Sequence, residues 1–258
     1  MVISVSGKIG SGKDTVGAII QYLTASDKSS SCLEKLSAGL PINRTHNSTF
    51  KIKKFADNLK AMTCLLIGCT RHQLEDHSFK NKELGEEWWY YGFDGGLKIP
   101  YLTAGYDKGE EPLQYLIKPT PRLFLQLLGT ECGREIIHPS IWVNALFAEY
   151  KTAYTQHPYI EYVEHKAYPD WIITDTRFPN ELKAVKDKRG ITILVQKPCS
   201  ECGVTCSHTA TCSKKGIIPH TSETALDSAD FDYYISNDGT IEELIEKVKQ
   251  ILIKERII

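Results

Sequence analysis

The sequence contains no apolar run of the ~18 residues that a membrane-spanning helix needs, so no transmembrane segment is expected. It also lacks a surplus of either charge, with 31 Lys and Arg against 32 Asp and Glu. That balance argues against a partner made of nucleic-acid polymer, which would call for a basic surface. No internal repeat and no low-complexity tract occurs. A strand-like run begins at Val2 and leaves no room for a secretory leader, so the expectation is a cytoplasmic chain. Eight cysteines then read as reduced thiols rather than a disulfide frame. No Ser-His-Asp or Cys-His arrangement is recognisable, so nothing suggests a covalent intermediate.

What is present is an ordinary globular composition, 41% apolar and 24% charged over 258 residues, long enough to bury a full core. Strand-like runs recur at Val2–Val5, Ile52–Phe55, Trp171–Thr174, Ile191–Val195 and Tyr233–Ile235, with helical patterns between most of them. Asp57 can cap a helix carrying Leu59, Met62, Thr63 and Leu66, and Asn180 another that Gly190 stops. Thr240 and Glu243 form a capping box before Ile241, Leu244, Ile245, Val248 and Leu252. Strands alternating with helices predict an α/β fold with a parallel sheet in a single domain over 1–258. Two stretches break the alternation. Ser26–Ser48 reads as a surface excursion, and Leu84–Pro119, with "WWYYGFDGG", as a hairpin-like insertion.

The strongest local signal is "VISVSGKIGSGKDT" at the start of the chain. A strand runs into a loop with Gly7, Gly10 and Gly12, and helical spacing resumes after Lys13. Such a loop can turn successive backbone N–H groups onto an anion, and the following helix N-terminus adds partial positive charge. Gly7, Gly10, Ser11, Gly12, Lys13, Asp14 and Thr15 are therefore candidate ATP-phosphate ligands, Lys13 reaching the β and γ oxygens. The usual Ser or Thr after the lysine is replaced by Asp14, and Thr15 follows one step late. A carboxylate there can hold magnesium through water or bind loop N–H groups.

Two further stretches carry clustered polar chemistry. In "PRLFLQLLGTECGREIIHPSIW", Leu123, Phe124, Leu127 and Leu128 give a helix its buried face. Arg122, Gln126, Thr130 and Arg134 recur every fourth residue beside it, over roughly 18 Å. Gly129 and Gly133 each cost a helix about 1 kcal/mol, which calls for close approach of a ligand or backbone. In "DWIITDTRFPNE", an apolar strand ends at Asp175, with Arg177, Asn180 and Glu181 just beyond. Parallel sheets bind ligands at that end of their strands.

Together with the Gly-Lys-Asp-Thr loop and "FADNLK" (Phe55–Lys60), these stretches resemble the deoxynucleoside monophosphate kinases of large phages and viruses. "HTSE" (220–223) and "SNDGT" (236–240) match more weakly, the second as a packing surface for the donor base. The resemblance implies a P-loop fold and transfer of the ATP γ-phosphoryl, with Mg²⁺, to a deoxynucleoside 5′-monophosphate. It implies Lys13, Arg134, Asp175 and Arg177 as catalytic residues. It implies an acceptor site from Lys8, Ile9, Asp57, Lys60, Arg122, Gln126, Arg134, Trp142, Asp175, Arg177 and Glu181. Asp14 and Asp175 would hold magnesium, directly or through water. The acceptor phosphate is already a nucleophile, so no general base is needed.

Two other readings stay open at this point. One is a P-loop kinase of another phosphorylated acceptor, since phosphomevalonate kinases also carry a Gly-Lys-Asp loop. The other is a nucleotide-binding switch, against which the sequence offers no switch loop with a placed glutamine. Oligomeric state is open, a homodimer included. Finally, Cys199-x-x-Cys202 with Cys206 and Cys212, or His208 as substitute, could hold Zn²⁺ in a lid-like segment over 197–222.

Overall fold

The computed structural model describes residues 1–26, 48–93, 114–152, 168–198 and 224–258. In chain order the elements are β1 (Val2–Ser6), α1 (Lys13–Leu23), β2 (Phe50–Lys53), α2 (Ala56–Ile67), α3 (Arg71–Glu75) and α4 (His77–Lys80). A 3₁₀ turn at Glu86–Trp88 leads to β3 (Tyr90–Phe93), β4 (Gln114–Ile117) and α5 (Pro121–Gln126). A π-helical segment, Leu127–Ile137, precedes α6 (Ile141–Phe147). Then follow β5 (Asp170–Thr176), α7 (Pro179–Asp187), β6 (Ile191–Gln196), β7 (Tyr233–Ser236) and α8 (Ile241–Lys254). These divide into two compact units, one of Met1–Asp57 with Trp142–Ile258 and one of Asn58–Ile141.

The first unit is built on a five-stranded sheet in the order β2-β5-β1-β6-β7, every neighbouring pair parallel. β1 is buried along its whole length, as a strand covered on both faces must be. On one face Val16, Ile19 and Ile20 of α1 and Leu244, Val248 and Leu252 of α8 pack with Ile3, Val5, Ile172 and Ile193. On the other, Val143 and Leu146 of α6 and Val185 of α7 pack with Val2, Phe55, Trp171 and Ile173. The architecture is the α/β sandwich expected from alternating strands and helices.

Boundaries shifted where polar side chains captured backbone groups. β2 ends at Lys53, because the Lys54 N–H donates to Asp57 Oδ2 (2.9 Å) and the next two N–H groups go to Asp175. α7 starts with Pro179 at its first position, where a missing N–H costs nothing. Asn180 therefore lies inside the first turn rather than capping it. Glu181 Oε2 reaches back to the N–H groups of Arg177 (2.7 Å) and Phe178 (3.1 Å). Beyond this helix the left-handed residue is Arg189 (φ 54°), not Gly190. A Cβ on Gly190 would lie 2.7 Å from the Val2 carbonyl oxygen, so close approach is what requires glycine there. α8 carries the anticipated capping box, Thr240 with Glu243.

In the second unit α2 ends at left-handed Gly68, and the Cys69 N–H donates to the Cys64 carbonyl (3.1 Å), a Schellman closure. Its apolar residues do not form the buried stripe that their spacing predicts. Thr63 is its buried residue, whereas Met62 and Leu66 are exposed and Leu65 is 84% exposed. The β3–β4 ladder is antiparallel, pairing Tyr90 with Ile117. Its base is tied by the Leu84 N–H to the Pro119 carbonyl (2.9 Å). Trp88 meets Phe124 edge-on at 5.4 Å. The run Leu123–Leu128, expected as a buried face, is half-buried apart from exposed Gln126.

Candidate active site

The loop between β1 and α1 holds its shape through two left-handed glycines, Gly10 (φ 78°) and Gly12 (φ 93°). Only glycine adopts that conformation without a Cβ penalty, and Gly12 sits at the N-cap of α1. The Ser11 N–H donates to the Lys8 carbonyl (3.1 Å) and the Val16 N–H to that of Gly12 (2.9 Å). Asn237, just past β7, donates from Nδ2 to the Ser11 carbonyl (2.8 Å) and braces the loop from the last parallel strand. The resemblance implies a packing surface for the donor base at "SNDGT"; the brace on Ser11 is a further role that the spacing does not predict. Among the described residues the buried Ser11 hydroxyl has no hydrogen-bond partner. An unpaired buried hydroxyl in an anion cradle is a group that a phosphate oxygen would satisfy.

Lys13 opens α1 and is mostly buried; Asp14 is exposed and Thr15 half-buried. Asp14 Oδ1 receives the Lys54 ammonium (2.8 Å) and the Thr174 hydroxyl (3.0 Å). Partial loss of water around its oxygens works against ionising Asp14, but the bonds and charge of Lys54, the Thr174 hydroxyl and the Lys13 charge outweigh it. Its carboxyl lies below the ordinary value.

Asp175, near the C-terminal end of β5, spans the β2–α2 turn. Its Oδ1 accepts the Phe55 N–H (2.8 Å) and its Oδ2 the Ala56 N–H (3.0 Å). Burial pushes this carboxyl above the ordinary value, against the pull of those two N–H groups and of the Lys54 charge. Both carboxylates therefore converge on the end of β2, Asp14 through the Lys54 side chain and Asp175 through the next two backbone amides. Arg177 is half-buried two residues beyond Asp175. Glu181 is 2% exposed, and the bonds it makes to the Arg177 and Phe178 backbone fix the segment that carries Arg177. Trp142 is 3% exposed. It lies within the core of this unit and offers almost no surface for stacking on a base. Lys8 pairs with Asp227 (3.1 Å), and Ile9 is 76% exposed.

Of the remaining expected acceptor residues, Asp57 closes the first unit and Lys60, Arg122, Gln126 and Arg134 lie in the second. Lys60 pairs with Glu75 (2.7 Å), which also accepts from Arg71 Nε (2.9 Å). Burial would raise the Glu75 carboxyl, but these two cations bring it down to about 2. Arg122 Nε donates to Asn81 Oδ1 (2.9 Å). Gln126 Nε2 donates to Glu131 Oε1 (3.1 Å), a spacing of five that suits the π winding, as does the His138 N–H on the Gly133 carbonyl (2.9 Å). The fourfold stripe from Arg122 to Arg134 expected of an α-helix is thus rewound after Gln126. Gly129 has a packing reason: a Cβ there would lie 2.9 Å from Leu59 Cδ2 of α2. The cysteines at 199, 202, 206 and 212, with His208 and "HTSE", lie outside the described residues. Among the described residues no group of three His, Cys, Asp or Glu could hold a metal ion.

Comparison with known proteins gives this geometry its chemistry. Residues 117–248 match the family described as deoxynucleotide monophosphate kinase. Over 204 residues, 72% of each chain, the sequence is 26% identical to the deoxynucleoside-5'-monophosphate kinase of Escherichia phage T5. With its matched segment running from β4 to within α8, the chain belongs to the deoxynucleotide monophosphate kinase family.

Proposed function

We propose how the residues divide the work in this ATP-dependent kinase, which moves the ATP γ-phosphoryl to a deoxynucleoside 5′-monophosphate with a divalent metal. The loop over 7–15 takes the ATP phosphates. The observation that carries this is the strand–loop–helix cradle, with left-handed glycines, an unpaired Ser11 hydroxyl and Lys13 at the first position of α1. Lys13 screens charge that grows on the bridging oxygen. Arg177, its backbone fixed by Glu181, screens the moving group. Arg122, Gln126, Arg134 and Lys60, all of the second unit, bind the acceptor nucleotide. A guanidinium suits phosphate because it donates two parallel hydrogen bonds. Trp142 and Glu181 serve by packing and by holding the backbone.

The metal is Mg²⁺. Asp14 and Asp175 supply the hard oxygen donors it prefers, and each already carries hydrogen bonds, which suits a cation held through its own water shell. When bound, the ion neutralises charge on the phosphate oxygens. The acceptor phosphate attacks without a general base, so the chain's task is positioning and charge.

The test is coupled ADP release with ATP, Mg²⁺ and each common ribo- and deoxynucleoside monophosphate in turn. Turnover should depend on a deoxynucleoside monophosphate and fall at least 100-fold in Lys13→Ala, with the far-ultraviolet spectrum unchanged. A Lys13→Ala enzyme of near-normal rate would overturn the donor assignment. Turnover indifferent to every monophosphate would overturn the acceptor assignment.

A further inference from the structure

A carboxylate in the first turn of a helix that must receive a polyphosphate is an electrostatic liability. Asp14 follows Lys13 directly, and a carboxylate within several ångströms of a phosphate repels it unless its charge is offset. The structure supplies a neutralising partner from outside the loop. Lys54 places its ammonium 2.8 Å from Asp14 Oδ1, and Thr174 donates to the same oxygen from 3.0 Å. The backbone that presents Lys54 is held on both sides. Its own N–H is bound by Asp57 Oδ2 (2.9 Å), and the following two N–H groups are bound by Asp175 (2.8 and 3.0 Å). Three hydrogen bonds to two carboxylates therefore fix the end of β2, where the parallel order sets it beside β5, the strand carrying Thr174. A lysine on so rigid a base is poorly suited to following a ligand and well suited to holding a fixed neighbour.

We propose that Lys54 is a positioning residue of the donor site, whose ammonium neutralises Asp14 and holds its carboxylate against β5, so that nucleotide phosphates can enter the loop beside it. Thr174 is the second half of the clamp. The proposal rests on reading residues 7–15 as the donor site. It goes beyond that reading in naming a residue outside the loop on which nucleotide affinity depends. It also accounts for the aspartate that stands where most P-loops have a hydroxyl: the charge is tolerated because a lysine just past the end of the edge strand β2 cancels it.

The experiment is a double-mutant cycle read as equilibrium binding of ADP in excess EDTA, so that metal plays no part. Lys54→Met in the Asp14 background should weaken ADP binding about tenfold, the scale of one unneutralised charge at a partly exposed site. In the Asp14→Asn background the same substitution should weaken it less than twofold, because no carboxylate remains to repel the phosphates. Lys54→Arg should bind within about threefold of the wild type. In steady state with Mg²⁺, Lys54→Met should raise KM for ATP with kcat changed less than threefold, a split that general damage to the fold would not give. Equal losses from Lys54→Met in both backgrounds would mean that Lys54 touches the nucleotide itself, and would overturn the proposal. So would a Lys54→Met enzyme that binds as the wild type does. Failure of the underlying reading looks different: Lys13→Ala would then bind ADP as tightly as the wild type. If Lys54→Met does not fold, the comparison of Lys54→Arg and Lys54→Gln in both Asp14 backgrounds tests the same coupling.

Discussion

Replacing Asp175 with alanine should cost the fold about 2–4 kcal/mol at pH 7. The carboxylate joins β5 to the β2–α2 turn through the Phe55 N–H (2.8 Å) and the Ala56 N–H (3.0 Å). Phe55 is 2% exposed, so water reaches its amide poorly. Each buried donor left without an acceptor costs about 1–3 kcal/mol. Two such groups would give up to about 6 kcal/mol, reduced because the buried carboxylate no longer pays its own desolvation. At about 2–4 °C per kcal/mol for a chain of this size, Tm should fall by roughly 10 °C. Asp175→Asn keeps one acceptor and should lose about half as much. The pH dependence follows from the raised pKa. A carboxyl whose folded value exceeds its unfolded value contributes stability that is fully present below the unfolded value of 3.8 and is lost as pH rises through the folded value. The gap between wild type and Asp175→Ala should therefore narrow from pH 4 upward. Urea unfolding followed by circular dichroism measures the stability losses and their pH dependence, and a thermal scan measures the Tm shift. A change under 0.5 kcal/mol for Asp175→Ala, or a gap that widens with pH, would refute the anchoring argument.

Arg134→Ala should raise KM for the deoxynucleoside monophosphate at least tenfold with little change for ATP, read from two-substrate kinetics; loss of ATP affinity alone would assign it to the donor side. Glu181→Gln should lower Tm by several degrees and reduce turnover through Arg177, since a neutral amide weakens both backbone bonds; unchanged Tm and turnover would contradict that role. Glu75 sits at about 2, so its contribution is present above 4.5 and lost as pH falls towards 2. Glu75→Gln should flatten the acid limb of the stability curve while costing little at neutral pH, because the pair is half exposed. Whether Cys199, Cys202, Cys206 and Cys212 hold zinc is tested by elemental analysis of protein prepared without chelator, about one equivalent per chain supporting a site. Less than a tenth of an equivalent would end that idea, because ~10 kcal/mol of binding survives purification.

Much of this protein is decided by its sequence alone, and for local reasons. A buried run ending at Ser6, three glycines and Lys13 can form few structures other than a strand, a phosphate loop and a helix, since backbone freedom and helix polarity act over a dozen residues. The capping box at Thr240 is local in the same way, and so are the apolar runs that became β5, β6 and β7. What the sequence could not decide are the pairings between distant residues. Nothing in the spacing of Asp14 and Lys54 tells that they meet, because the parallel crossover brings β2 beside β5 and so delivers Lys54 to the loop. Asp175 and Glu181 carry the residue types of a ligand site, yet the tertiary structure commits their oxygens to backbone amides. Trp142, which the resemblance places in the acceptor site, is core. The π winding after Gln126 cannot be read from the sequence, because its i→i+5 register leaves no mark in an apolar pattern at 3.6 residues per turn. Local chemistry wrote the donor loop; only the packing of remote strands decided which charges stand beside it.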